Sequence, residues 1–92
     1  MQLQIVSPEK ELFSGEVESI TLPGTAGEFS LLPNHAPIVS SLKAGQLFYL
    51  PKGGSDVQTV AISGGFVEQH NNKVSACVEL ADAIKITDEK KA

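Results

Sequence analysis

Tryptophan and arginine are absent from these 92 residues, and cysteine, methionine and tyrosine occur once each. Each scarcity closes off a class of function. Without arginine there is no planar guanidinium fork for bidentate recognition of phosphate or guanine, and a net charge of −4 repels a polyanion, so nucleic acid is not expected as a partner. A lone cysteine, Cys77, cannot form an internal disulfide. One tyrosine and no tryptophan leave little of the flat aromatic surface on which sugar-binding modules stack their ligands. The longest apolar run is Leu47-Phe48-Tyr49-Leu50, far short of the ~20 residues that span a bilayer as a helix. The first residues show neither a basic nor a hydrophobic signal region, so the expectation is a cytoplasmic, reducing setting without membrane insertion.

What is present points to an all-β domain. Gly and Pro number eight and five and fall as punctuation: Ser7-Pro8, Ser14-Gly15, Pro23-Gly24, Pro33-Asn34, Ala44-Gly45, Gly53-Gly54, Gly64-Gly65, with Asn71-Asn72 in the same role. Between them lie strand-length segments rich in Val, Ile, Phe and Leu, at 2–6, 16–22, 28–32, 38–42, 46–50, 57–63, 66–69, 73–79 and 83–86. The fold expected is an antiparallel β-sandwich of about nine to ten short strands occupying residues 1–86, followed by a short charged tail at 87–92.

Alternation assigns faces. Leu3/Ile5, Phe29/Leu31 and Ile84/Ile86 are one-sided pairs, whereas between Val17 and Ile20 the apolar phase slips, as at a β-bulge or a bend between sheets. Ile38/Val39, residues 47–50 and Val60/Ala61/Ile62 place apolar atoms on both faces, more than one core can use. An outward patch drawn from Val39, Ser41, Thr59, Ala61 and Phe66 is therefore expected to meet another protein.

Candidate chemistry is sparse. Gly24-Thr25-Ala26-Gly27-Glu28 lacks the Gly-Lys-Ser/Thr ending and following helix of a phosphate loop; its glycines serve the backbone, with Glu28 presented at the loop's end. Ser63-Gly64-Gly65 reads as a bulge or tight strand junction, with no base spaced to activate the serine. His35, held between Pro33 and Pro37, is either a local hydrogen-bonding cap or a presented contact. Neither metal-ligand spacing nor a catalytic pair or triad is evident, and Cys77 reads as an inert, partly covered thiol opposite Val74, Ala76 and Val78. The glutamates at 9, 11, 16, 18 and 28 form either a solvated acidic surface or a complement to a basic partner.

The ordered string Gly24-Thr25-Ala26-Gly27-Glu28-Phe29-Ser30-Leu31-Leu32-Pro33-Asn34-His35-Ala36-Pro37-Ile38, with the later Ser63-Gly64-Gly65-Phe66, resembles the epsilon subunit of F-type ATP synthases. Leu3-Gln4-Ile5-Val6-Ser7-Pro8, a hairpin at 12–17 and Asn72-Lys73-Val74 fit as well, so the resemblance covers residues 2 to about 86. It implies a non-catalytic rotor subunit, free of cofactors, that links the gamma stalk to the c-ring of a proton-translocating enzyme at the cytoplasmic face of a bacterial inner membrane. By the same resemblance Glu28 and His35 lie at one end of the sandwich, close enough to form one contact surface for the c-ring loops, and the apolar patch meets gamma. The chain departs from the family in Lys43-Ala44-Gly45, where Lys-Pro-Gly is usual, and in stopping before the helical hairpin of longer relatives. No nucleotide binding or tail inhibition is therefore expected. The alternative of another class is a free-standing β-sandwich module for a small molecule or carbohydrate.

Overall fold

The computed structural model describes residues 1–81, which form seven strands: β1 (Gln2–Val6), β2 (Glu11–Gly24), β3 (Gly27–Leu31), β4 (Ile38–Leu42), β5 (Gly45–Pro51), β6 (Gln58–His70) and β7 (Lys73–Leu80). The number is lower than the spacing of turn signals suggests because two strands are long. Ser14-Gly15 does not turn the chain: β2 runs straight through it, and the expected hairpin at 12–17 is instead formed by β1 and β2 around Ser7 and Lys10. Gly15 instead makes room for the Phe13 ring, whose Cζ would lie 3.2 Å from a Cβ at that position. The segments expected at 57–63 and 66–69 are likewise one strand, β6. The segment at 83–86 and the tail at 87–92 lie outside the described residues.

Both long strands change layer in mid-course. In β2 the partner shifts from Glu16 opposite Gln2 to Val17 opposite Pro51 and Ser19 opposite Leu50, and the irregularity at Val17/Ser19 is the phase slip visible in the sequence. In β6 the register breaks between Ile62 and Gly64; residues before the break pair with β5 and those after it with β4. One layer therefore contains β4, the second half of β6, β7, β1 and the start of β2. The other contains the first half of β6, β5, the end of β2 and β3. Between them lie Leu3, Ile5, Val17, Ile20, Leu22, Leu31, Leu47, Ile62, Val67 and Val74, all essentially inaccessible to solvent.

One pairing departs from the antiparallel expectation. β1 runs parallel to β7, with Leu3 opposite Val74 and Ile5 opposite Ala76. A parallel pair needs a long crossover, and here the rest of the domain supplies it. The tight turn of the β6–β7 hairpin has two residues, Asn71 and Asn72, at φ 54° and 62°. Paired positive φ values match the twist of the flanking strands, and asparagine tolerates them better than other side chains with a Cβ.

Tyr49 lies in the core against Phe13, ring centroids 4.5 Å apart and planes tilted by 46°. Burial desolvates the phenol and raises its pKa above the ordinary tyrosine value. A group whose folded pKa exceeds its unfolded one contributes stability below the unfolded value and loses it as pH rises toward the folded one. Urea midpoints are thus expected to fall above about pH 10, the unperturbed tyrosine pKa, and the fall should be shallower in Tyr49→Phe. An equal fall in both proteins would assign it to other groups.

Candidate interface

Three strand pairings build a row across the outer face of the first layer. Ser41 stands opposite Phe66, Phe66 opposite Cys77, and Cys77 opposite Val6. Opposed residues project to the same side of a sheet, and the next residue along each strand projects to the other. Those neighbours, Leu42, Val67, Ala76 and Ile5, are buried, so the row faces away from the core. Phe66 keeps 51% of its surface exposed and Val39, one row along opposite Glu68, keeps 72%. Beside Phe66 runs an open groove of about 360 Å³ bounded by Val6, Ser7, Pro8, Cys77 and Glu79. An exposed aromatic beside an apolar groove is an anchor point for a protein partner.

The five patch residues named from sequence are all exposed but do not form one patch. Val39, Ser41 and Phe66 share the face just described. Thr59 and Ala61 lie beyond the β6 break, opposite Phe48 and Gln46 of β5 in the other layer. There a smaller recess of about 110 Å³ is bounded by Ser19, Thr21, Phe48, Leu50 and Val57. Sequence reasoning missed Val6 and Cys77. The adjacency of Val6 to Ile5 carries the same two-sided signal as Ile38/Val39, but only the parallel β1–β7 register brings Val6 to Cys77. Cys77 is half-buried, with Val74, Ala76 and Val78 of its strand turned into the core.

Glu28 and His35 are also both exposed. Glu28 lies opposite Pro23 beside the β2–β3 turn, which is tied to the far end of β4 by Thr25 N–H donating to the Ser41 carbonyl (3.0 Å) and Lys43 N–H donating to the Pro23 carbonyl (2.8 Å). His35 lies in the 32–37 loop at the other end of β4. There the Asn34 N–H donates to Asn72 Oδ1 (2.9 Å), and the His35 ring Nδ1 lies 2.7 Å from the Ala36 carbonyl oxygen. At ~3.3 Å per residue, the five residues of β4 set its two ends about 13 Å apart. Glu28 and His35 thus sit beside different ends of β4 and not at the one end expected, because β4 and β3 run between the two loops. His35 makes a local hydrogen bond and is exposed.

Among the described residues no three His, Cys, Asp or Glu side chains converge as a metal site would require. The α-ammonium of Met1 pairs with Glu16 Oε1 at 3.1 Å, the methionine side chain being packed into the core.

Residues 1–84 match the family described as "ATP synthase, Delta/Epsilon chain, beta-sandwich domain". The ATP synthase epsilon chain of Leptospira borgpetersenii is 40% identical over 95 residues, an alignment that takes in 100% of this chain and 73% of the relative. That of Desulfitobacterium hafniense is 44% identical over 80 residues, covering 87% and 59%. Among solved structures, the fold matches a chain in the central stalk and c-ring of the Tetrahymena thermophila mitochondrial ATP synthase with a TM-score of 0.74 at 21% identity, covering 100% of this chain and 73% of that one. It matches one in the Euglena gracilis mitochondrial enzyme with a TM-score of 0.78 at 24% identity, covering 95% and 59%. These two likenesses establish the shared fold. The present chain thus spans roughly three-fifths to three-quarters of the length of the relatives it matches. On its sequence match and its fold, the chain belongs to the ATP synthase epsilon chain family and contains that family's β-sandwich domain.

Proposed function

We propose that this chain is a non-catalytic rotor component of a proton-translocating F-type ATP synthase. In that role it links the gamma stalk to the c-ring at the cytoplasmic face of a bacterial membrane, so that ion-driven rotation reaches the catalytic head. The observation that carries the reading is the Ser41–Phe66–Cys77–Val6 row with Val39 beside it: an outer face with an exposed aromatic next to an apolar groove, suited to the gamma stalk. Glu28 and His35, exposed beside different ends of β4, are suited as separate polar contacts for the c-ring loops. The two layers share the strands β2 and β6, so one layer cannot slide against the other without distorting both strands.

Co-purification of the tagged full chain from its own cell membranes is expected to bring gamma and c subunits with it. Recovery of the chain alone, with ATP synthesis unaffected by its deletion, would end this reading. Glu28→Ala and His35→Ala should each weaken retention on the c-ring by about 1 kcal/mol or less, as rim contacts do. Because the two sites are separate, the double variant should show the sum of the two effects. Loss of binding from either single change would show that one of them is a buried anchor instead.

A further inference from the structure

Gln69 is the single buried polar side chain of the described core, 1% exposed, and neither its amide nitrogen nor its amide oxygen has a hydrogen-bond partner in the protein. It faces inward from β6 between Ile38, the first residue of β4, and Val74 of β7. An unpaired amide in such a place disfavours the closed structure relative to any state that lets water reach it. Its neighbour on the β4 side is weakly held. β4 has five residues and pairs along one edge with β6, while its only pairing with β2 is Gly24 opposite Leu42, at the end far from Gln69.

The loop leading into β4 is no stronger. Residues 32–37 are all exposed, so opening them forfeits little apolar burial beyond that of Ile38, which packs partly against the core, and Pro33 and Pro37 contribute no N–H. Of the backbone N–H bonds in the loop, His35 to the Leu32 carbonyl (3.1 Å) is internal to it, and Asn34 to the Asn72 side chain (2.9 Å) ties it to the β6–β7 turn. Asn34 itself is at φ 67°, a left-handed conformation that gains little from staying folded.

We propose that residues 32–38 form a flap that opens as a local unit, hinged at the Val39 end and latched by Asn72, and that the buried Gln69 amide biases it toward opening. The flap carries His35. A partner that grips His35 thereby selects one flap state, and the closed state keeps Ile38 beside Gln69 on the core face of the sheet. Opening of this kind belongs to the sub-global fluctuations that set exchange rates in native proteins.

Residue-resolved amide hydrogen exchange on the full chain tests this, comparing wild type with Gln69→Met and Asn72→Gly. Methionine matches glutamine in length and needs no partner, and glycine keeps the positive φ of Asn72 while removing its Oδ1. In wild type, the hydrogen-bonded N–H groups of Asn34 and His35 should exchange at least tenfold faster than those of Val74 and Ala76. Gln69→Met should slow these two groups by tenfold or more beyond any change at Val74 and Ala76. Asn72→Gly should speed exchange at Asn34 and His35 while leaving β1 and β7 beyond Val74 unchanged. The proposal is overturned if Asn34 and His35 exchange only at the rate of Val74 and Ala76, or if Gln69→Met shifts all sites equally. A long-lived internal water contacting the Gln69 amide while Asn34 and His35 stay protected would also overturn it.

Discussion

Gly65→Ala is expected to destabilise the domain strongly, while the same substitution one residue earlier, Gly64→Ala, changes its stability little. Gly65 has φ 147°, and a Cβ there would overlap the Cys77 carbonyl oxygen and lie 2.9 Å from Val78 Cα, both backbone atoms of the neighbouring strand that cannot step aside. Backbone strain of this type costs about 1–3 kcal/mol, and forcing atoms into a packed sheet adds about 1–3 kcal/mol more. That total is a large share of the roughly 5–14 kcal/mol available to a domain of this length. At Gly64 the nearest atom to a Cβ is the Leu42 carbonyl oxygen at 3.6 Å, an ordinary contact. Thermal or urea unfolding of the two variants separates them. Equal stability of both would mean that the β6 break does not hold its two halves in the crossover described above. Gly53→Ala offers a third point. Its φ is 80° with open space around it, so the cost should be backbone strain alone, about 1–2 kcal/mol.

Phe66→Asp should have the opposite profile, a large loss of binding with a small change in folding. Phe66 is the half-exposed aromatic at the centre of the outer row, flanked by Ser41, Cys77 and the groove. Removing a central aromatic anchor and placing a charge in the contact commonly costs 2 kcal/mol or more, at least thirtyfold in affinity. Val39→Asp, on the same face but one row away, should cost less. Thr59→Asp and Ala61→Asp lie on the other layer and should leave gamma binding within a few-fold of wild type. Titration of purified gamma with each variant, alongside urea unfolding of the variants alone, reads both quantities. If Ala61→Asp weakens gamma binding as much as Phe66→Asp, the gamma contact spans the β6 break and the first layer is not its seat.

Much of the architecture follows from the order of residues. Leu3/Ile5 and Val74/Ala76/Val78 alternate strictly, and a strand with a single apolar phase has only one way to face a core. The slip between Val17 and Ile20 marks the bulge of β2, and Asn71-Asn72 marks the last hairpin, because both signals are local consequences of backbone geometry. Glu28, His35, Val39 and Phe66 were legible as outward residues for the same reason: rigid loops and spare apolar positions are local properties.

Other features are decided by non-local pairing. Which of Gly64 and Gly65 is indispensable depends on where the Cys77 carbonyl of β7 passes, a contact made across 12 positions of sequence. Fusion of the segments into β2 and β6, the parallel seating of β1 on β7, and the resulting apposition of Val6 with Cys77 arise because most hydrogen-bonding edges of the sheet find partners, the outer edges of β3 and of most of β4 excepted. The same closure divides the expected patch, sending Thr59 and Ala61 to one layer and Phe66 to the other. It also encloses Gln69, a residue whose polar side chain would place it at the surface by composition alone. Sequence determined which side chains are spare; the closure of the sheet decided which of them share a surface.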